Sequence, residues 1–316
     1  MKSYLLPGDT KKASRLIMGT MIINTDNYEN SCALLDAAMD LGINTFDAAL
    51  VYGGGGSERA LGKWMEERGN REDVYIITKG AHHNADRKRV TPYDITSDLM
   101  DSLARLRTNY IDVYILHRDD PDMDVGPIVE ILSKHKDSGL IRAFGASNWT
   151  HGRIKKANEY AAANNMAPMS VTSPNYSLCE QIDDPWGPGC VTIGGPAGEE
   201  ARRFYQENDI PILAYSSLGR GMFSGRVTRG NYKDILDGAA IKAYAHEINF
   251  KKLDRAHELA EKKGVSVPQI ALAYILYQPF KAYPIVGAAS VQELNEAVCA
   301  LEIILTANEL AWLDNG

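Results

Sequence analysis

Three short apolar segments of this 316-residue chain each end in a side chain that can carry a charge. These end residues are Asp47, Lys79 and His117, and Tyr52 follows closely after the first of them. Continuous apolar runs are typical of strands that are buried on both faces, as in parallel sheets. A parallel barrel carries its catalytic side chains at the carboxyl ends of several strands. The pattern therefore predicts an active site built from these four residues.

Together these side chains are suited to the reduction of a carbonyl group. Adding a hydride leaves an oxyanion that must be protonated as it forms, and Tyr52 can supply the proton if its pKa, ordinarily about 10, is lowered. A lysine ammonium within ~4–6 Å favours the phenolate, so we expect Lys79 to lower that pKa. We expect Asp47 to pair with Lys79, and a neutral His117 to hydrogen-bond the carbonyl oxygen.

Each of these residues, taken alone, has an ordinary structural explanation. Asp47 would be a strand-end cap, and Lys79 a surface residue with a buried aliphatic stem. His117 would be a hydrogen-bonded core histidine, and Tyr52 would contribute packing. The complementary chemistry of side chains at three strand ends favours the catalytic interpretation.

Other potential ligands do not predict a metal site. His82 and His83 follow the lysine strand, but they lack the H-x-H or H-x-x-x-H spacing of zinc ligands, and we interpret them as loop histidines. The four cysteines contain no C-x-x-C pair, and the spacing of Cys179 and Cys190 matches no ligand motif. We expect these thiols to be reduced and mostly buried, as in a cytosolic protein.

The elements that must position these residues alternate between strand and helix. The predicted strands cover residues 16–18, 43–47, 74–79, 113–117, 141–146, 169–172, 212–215 and 282–286. Eight βα units in about 250 residues predict a (β/α)8 TIM barrel, with residues 1–316 as a single domain. A doubly wound open sheet is the alternative, but it requires a G-x-G-x-x-G fingerprint after its first strand, which the glycine run at 53–56 does not provide.

Local signals predict where two of the helices begin. Thr91, Pro92 and Asp94 combine a cap residue, a proline in the first position and an acid in the first turn. Ser266 and Gln269 have the spacing of a capping box.

Two segments, residues 179–199 and 219–249, are predicted to be long loops over the active face of the barrel. Their large side chains include Trp186, Met222 and Phe223. Such residues either supply substrate specificity or only pack the loops, and we place Trp186 with Tyr52 and His117 in the predicted substrate site.

With these motifs assembled, the chain resembles the aldo-keto reductases nearly from end to end. The segment D-A-A-L-V-Y-G at residues 47–53 is similar to the family motif D-x-A-x-x-Y-G, and I-T-K at 77–79 and L-H-R at 116–118 are similar to its other catalytic strand ends. The resemblance implies that Tyr52 is the general acid, that Asp47 and Lys79 tune it, and that His117 orients the carbonyl group.

The resemblance also implies a nicotinamide cofactor and the residues that hold it. The segment G-A-S-N at 145–148 is similar to the family's G-x-S-N, which holds the carboxamide, and residues 214–221 resemble the segment that stacks on nicotinamide and contacts the pyrophosphate. The implied cofactor positions are Gly19, Thr20, Met21, Asp47, Ser147, Asn148, Ser173, Tyr215, Ser216, Ser217, Leu218, Arg220, Gly221, Gly287, Ala288, Ala289 and Glu293.

Two positions depart from the family pattern and bear on cofactor choice. Ser173 stands where many members have Gln, and Glu293 lies in the adenosine segment, where members that prefer the phosphorylated cofactor often carry Lys or Arg. A carboxylate there would repel a 2′-phosphate and could instead bind a ribose diol. The family pattern favours NADP(H) and the local charge favours NAD(H). We expect NADP(H), with NAD(H) as the alternative.

Composition bounds the remaining possibilities. With 45% hydrophobic residues, 24% charged residues and a net charge of −7, the chain has the make-up of a globular protein without the positive field that nucleic acid or acidic membranes require. Residues 1–7 are too short an apolar stretch for a signal peptide, and no segment approaches the ~18 apolar residues of a spanning helix. We expect a cytoplasmic protein whose partner is a small carbonyl compound, and the sequence predicts no oligomeric state.

The sequence thus favours an NAD(P)H-dependent reductase of aldehydes or ketones, with sugar-derived carbonyls among the candidates. The alternative is a cofactor-binding regulatory barrel, similar to channel-associated β-subunits, in which catalysis is vestigial. A metal-dependent barrel hydrolase is a third interpretation, which the absence of a ligand motif disfavours.

Overall fold

The computed structural model describes residues 3–5 and 11–316, the first of these ranges by its backbone only. The signal-peptide prediction for residues 1–7 falls mostly outside this part of the chain. Strand β1 (Ser3–Leu5) pairs antiparallel with β2 (Lys12–Ser14), with Tyr4 opposite Ala13, and this two-stranded ribbon was not predicted.

Eight further strands close into a barrel, and the predicted fold is confirmed. In chain order they are β3 (Ile17–Gly19), β4 (Thr45–Asp47), β5 (Tyr75–Gly80), β6 (Ile111–Leu116), β7 (Ile141–Ser147), β8 (Val171–Ser173), β9 (Ile212–Ala214) and β10 (Ala282–Val286). The neighbour order around the barrel is β10-β3-β4-β5-β6-β7-β8-β9. Strands β5 and β6 are buried along their whole length, which explains why they read as unbroken apolar runs.

The chain divides into two compact units, and the first comprises Met1–Ser173 with Gly287–Val291. Its helices are α1 (Tyr28–Asp40), α2 (Gly56–Arg68), α3 (Pro92–Leu106), α4 (Val125–Asp137) and α5 (His151–Ala163). Helix α3 begins as predicted, because the Thr91 side chain accepts the backbone N–H of Asp94 and Pro92 needs no partner in the first turn.

The second unit comprises Pro174–Val286 with Gln292–Gly316. Helix α6 (Glu199–Glu207) precedes β9. The helices after β9 are α7 (Tyr232–Ile235), α8 (Gly238–Tyr244), α9 (Glu247–Lys263), α10 (Val267–Leu276), α11 (Val291–Cys299) and α12 (Ala307–Asn315). Before α10, the Ser266 backbone N–H donates to the Gln269 side chain at 3.0 Å, one half of the predicted capping box.

The prediction of an irregular loop over residues 219–249 is wrong in part, because α7, α8 and the start of α9 lie there. Helix α8 is short and is stabilised by Asp237, whose Oδ1 accepts the Ala240 backbone N–H at 2.8 Å. Met222 and Phe223 are fully buried, so they pack this segment from within. In residues 179–199 the helical structure is a 3-10 turn at Pro196–Gly198 and the first residue of α6, in agreement with a long loop before them.

Within residues 11–316, no helix combines the length and the apolar character that crossing a bilayer requires. The same residues contain no group of three or more His, Cys, Asp or Glu arranged to hold a metal ion. All four cysteines are free thiols. Cys32 and Cys179 are buried, whereas Cys190 is half-buried and Cys299 is exposed, so the expectation of mostly buried thiols holds for only two of them.

Candidate active site

The strand register explains why the three strand-end residues face the same side of the sheet. Asp47 lies opposite Ile77, two residues before Lys79, and Lys79 lies opposite Ile115, two residues before His117. Side chains two residues apart on a strand point to the same face. Asp47, Lys79 and His117 therefore project to one side, each one step further along its strand than its neighbour.

Tyr52 is brought to the same place by the loop after β4. The Leu50 backbone N–H donates to the Lys79 carbonyl at 2.9 Å, which holds the loop against β5. Residues Gly53, Gly54 and Gly55 then turn the chain with φ of 56°, 60° and 89°, values that side-chain-bearing residues rarely adopt. The glycine run thus serves a sharp turn into α2.

Lys79 is the centre of the cluster. Its Nζ donates to Asp47 Oδ2 at 2.7 Å, to the Ala48 carbonyl at 2.9 Å and to the Tyr52 hydroxyl at 3.1 Å, and only 3% of the lysine is exposed. These three bonds use all three ammonium protons. Because the Tyr52 oxygen accepts from Lys79, the phenolic proton points elsewhere and is available for donation.

The ion pair keeps Lys79 charged. Burial lowers the pKa of Lys79, but Asp47 and Tyr52 together outweigh burial and the net pKa is raised. Burial also raises the pKa of Asp47, against the opposing pull of the lysine ammonium. We assign the pair as ammonium and carboxylate because the two charged groups are in direct contact at 2.7 Å. The predicted pairing of Asp47 with Lys79 is confirmed.

The predicted direction of the Tyr52 pKa is wrong. Burial raises this pKa, and the Lys79 ammonium opposes the rise without reversing it. The reason is that desolvation penalises the phenolate, while the Asp47 carboxylate offsets part of the lysine charge. Tyr52 is therefore a protonated phenol at neutral pH.

His117 is neutral, as predicted. Burial, followed by the Lys79 charge, holds the pKa of His117 well below its ordinary value of about 6.5. Its Nδ1 is buried and has no hydrogen-bond partner among the described residues. A proton on Nδ1 would be buried without an acceptor, so we assign it to Nε2. The His117 ring meets the Tyr52 ring edge to face, with centroids 5.8 Å apart.

Three of the implied cofactor residues come together beside His117. Ser147 Oγ donates to the Ser173 carbonyl at 2.7 Å, and Asn148 Nδ2 donates to Ser147 Oγ and to the His117 carbonyl, both at 3.2 Å. Asn148 has a φ of 59°, which turns the chain sharply after β7. These bonds fix the hydroxyl group of Ser147 and the amide group of Asn148 next to His117.

The three implied cofactor residues at 19–21 differ in burial and in their contacts. Thr20 is fully buried, and its Oγ1 donates to the Asp47 carbonyl at 3.1 Å, so it fixes the end of β4. Gly19 ends β3, whereas Met21 is 52% exposed. The structure thus gives Thr20 a positioning role on Asp47 that sequence reasoning did not assign.

In the second unit, the turn after β9 contains the residues implied to contact the pyrophosphate. Ser217 Oγ donates to the Ile285 carbonyl at 2.7 Å, which ties the turn to β10. Gly219 has a φ of 57°, and a Cβ there would lie 2.8 Å from the Cys179 Cβ, so the position requires glycine. Other left-handed residues of the turn are Ser216, Arg220 and Gly221, and Tyr215 and Leu218 are half-buried.

Arg220 is already engaged by a carboxylate that sequence reasoning missed. Its Nε and Nη2 contact Asp237 Oδ2 at 3.1 and 3.0 Å, and its guanidinium lies over the Trp186 ring at 3.8 Å. Its Nη1 is buried and has no hydrogen-bond partner among the described residues. A buried, unpartnered guanidinium N–H on a turn of left-handed residues fits a phosphate oxygen.

The segment that the resemblance implies for adenosine binding lies mostly at the protein surface. Gly287, Ala289 and Glu293 are exposed and Ala288 is buried. Glu293 lies in the first turn of α11, where an acidic side chain stabilises a helix N-terminus. This helix role accounts for a carboxylate at the position without any cofactor.

The sequence is similar to those of known proteins. The model of the aldo/keto reductase family matches residues 15–315. The chain is 30% identical over 303 residues to the aldo-keto reductase YhdN of Bacillus subtilis, covering 90% of this chain and 84% of that protein. It is 26% identical over 310 residues to a probable voltage-gated potassium channel subunit beta of Oryza sativa subsp. japonica, covering 93% and 89%.

A solved structure shows the same fold. The glycerol dehydrogenase from Gluconobacter oxydans superposes with a TM-score of 0.82 at 24% identity, covering 99% of this chain and 94% of that one. At this identity the likeness concerns the fold.

Proposed function

The chain belongs to the aldo/keto reductase family of NAD(P)H-dependent oxidoreductases, and from this premise we propose that it reduces an aldehyde or ketone to an alcohol with Tyr52 as the proton donor. The observation that carries the proposal is the buried chain of contacts from Asp47 to Lys79, at 2.7 Å, and from Lys79 to the Tyr52 hydroxyl, at 3.1 Å.

The roles of the four side chains follow from their protonation states. A nicotinamide cofactor, when bound, would supply the hydride that the carbonyl carbon accepts. Tyr52 donates its phenolic proton to the carbonyl oxygen, and the Lys79 ammonium stabilises the phenolate that remains. Asp47 keeps Lys79 charged and aimed at Tyr52. His117, neutral and protonated on Nε2, hydrogen-bonds the carbonyl oxygen and orients it.

Each unit, taken by itself, contains polar groups that suit one chemical group of a nicotinamide cofactor. In the first unit, Ser147, Asn148 and Ser173 present ordered polar groups that suit a carboxamide. In the second, the buried Nη1 of Arg220 suits a phosphate. We propose NADP(H) as the cofactor, with NAD(H) as the alternative that the Glu293 charge favours. Comparing kcat/KM for NADPH and NADH decides between them, and a strong preference for NADPH would refute the repulsion argument.

Tyr52→Phe tests the proposed proton donor. The substitution removes the hydroxyl and keeps the ring, so carbonyl reduction should be abolished while cofactor binding and thermal stability remain near those of the wild type. Turnover is followed by cofactor absorbance and cofactor binding by fluorescence titration. Retained turnover would overturn the assignment of Tyr52.

A regulatory barrel is the competing proposal, and the similarity to the rice channel subunit favours it. A multiple-turnover assay against a panel of aldehydes and ketones separates the two. A reductase consumes many equivalents of reduced cofactor, whereas a sensor with vestigial catalysis stops after about one.

A further inference from the structure

A second histidine, His82, lies against His117 of the proposed active site. The His82 ring meets the His117 ring edge to face, with centroids 4.9 Å apart and an interplanar angle of 79°. His82 is half-buried, and it follows β5 by two residues, on the loop that continues from Lys79. The proposed function assigns His82 no role.

Backbone contacts hold this loop in place. Ala81 has a φ of 59°, and its N–H donates to Asp98 Oδ2 at 2.8 Å. Asp98 lies on the buried face of α3 and is itself bound by Arg89. Sequence reasoning missed Asp98, although its helical spacing from Ile95 and Ser102 places it on the core-facing side. The strained backbone at Ala81 is therefore stabilised by a buried carboxylate, and the ring of His82 has a defined position.

The hydrogen bonds of His82 define its tautomer. Its Nδ1 lies 2.8 Å from the carbonyl oxygen of His83, and a carbonyl can only accept, so Nδ1 carries the proton. Burial lowers the pKa of His82, so the ring is neutral at neutral pH. Nε2 is then a lone-pair acceptor, and it has no hydrogen-bond partner among residues 11–316.

The two histidines, whose ring centroids are 4.9 Å apart, thus carry complementary hydrogen-bonding groups. His117 presents an N–H donor, which suits a carbonyl oxygen, and His82 presents an acceptor, which suits a hydroxyl. A carbonyl and a hydroxyl on adjacent carbons match this pair. Building on the proposed reductase function, we propose that His82 binds the hydroxyl group next to the substrate carbonyl, so that the protein selects α-hydroxy aldehydes or α-hydroxy ketones.

The test compares matched substrates that differ only in this hydroxyl. The pairs are lactaldehyde with propanal, and hydroxyacetone with acetone. His82→Phe keeps an aromatic edge against His117 and removes the acceptor. For the hydroxylated member, kcat/KM should fall about 3- to 10-fold more than for its partner, which is the size of one net hydrogen bond. Taking the variant-to-wild-type ratio for each substrate cancels effects on folding, on cofactor binding and on aldehyde hydration.

Two further variants complete the design. His82→Gln supplies an amide oxygen as acceptor and should recover part of the preference for the hydroxylated substrate. His83→Phe removes the neighbouring exposed imidazole but keeps its backbone carbonyl, and it should change both members of a pair alike. An equal loss for both substrates in His82→Phe would overturn the inference while leaving the proposed reductase intact. If the wild type reduces neither pair nor any other carbonyl of the panel, the proposed function itself fails.

Discussion

Replacing Lys79 by Met gives the sharpest test of the catalytic cluster, because it removes the charge and keeps most of the volume. The change leaves the Asp47 carboxylate buried without its partner and removes the ammonium that contacts the Tyr52 hydroxyl at 3.1 Å. Stability and catalysis should both suffer, but for different reasons.

The magnitudes follow from the contacts. Removing one partner of a buried ion pair costs about 3–5 kcal/mol in the free energy of unfolding. Burial raises the pKa of Asp47, and Lys79 opposes this rise. Without Lys79, Asp47 can take up a proton and become neutral, which limits the cost in stability. At 3.1 Å and an effective dielectric constant of ~20, the attraction between the ammonium and a full phenolate charge is about 5 kcal/mol. With part of that charge developed in the transition state, kcat/KM should fall by about 100-fold.

A double variant separates the two effects. In Lys79→Met/Asp47→Asn no charge is left uncompensated, so most of the lost stability should return, as when both partners of a pair are replaced together. Activity should not return, because the ammonium that donates to the Tyr52 hydroxyl is still missing. Lys155→Met is the control, since the Lys155–Glu159 pair is exposed and spans 3.9 Å, and its loss should change the free energy of unfolding by less than ~0.5 kcal/mol.

Stability is measured by urea unfolding, with tryptophan fluorescence as the signal. Activity is measured as steady-state carbonyl reduction, with cofactor absorbance as the signal. Recovery of kcat/KM in the double variant would refute the role of Lys79 as stabiliser of the Tyr52 phenolate. A single variant as stable as the wild type would show that the ion pair contributes nothing net to folding.

Two other predictions concern pH and cofactor choice. In the folded protein the pKa of His117 lies well below its ordinary value of about 6.5. Near pH 6.5 the unfolded chain therefore binds a proton at His117 that the folded chain does not bind. The free energy of unfolding should consequently fall as the pH drops through about 6.5, with a slope of up to about 1.4 kcal/mol per pH unit. His117→Gln should make this dependence shallower in urea unfolding between about pH 7 and 5, and unchanged slopes would contradict the assignment. Glu293→Gln should raise kcat/KM for NADPH relative to NADH about 2- to 5-fold, the effect of one exposed charge, whereas an unchanged ratio would mean that Glu293 acts only at the start of α11.

Much of the fold was predictable because parallel barrel strands are buried on both faces. The apolar runs before Asp47 and Lys79 correspond to β4 and β5, and the helix signals at Thr91 and Ser266 match the starts of α3 and α10. Helices α7 and α8 escaped prediction, since they are too short for a periodic pattern and lie among charged residues.

In the active site too, the residue types were predictable from the sequence, whereas their contacts were not. Local sequence determined that an acid, a lysine, a histidine and a tyrosine stand at or just after strand ends, because strand ends can be recognised from hydrophobicity. Only the tertiary structure decided the contact between Lys79 and Tyr52, the bond from the Ala81 N–H to the carboxylate of Asp98, and the ion pair between Arg220 and Asp237. Nor could the direction of the Tyr52 pKa be read from residue types. It depends on how far the phenol is removed from water, and that is a property of the packed barrel rather than of the order of residues in the chain.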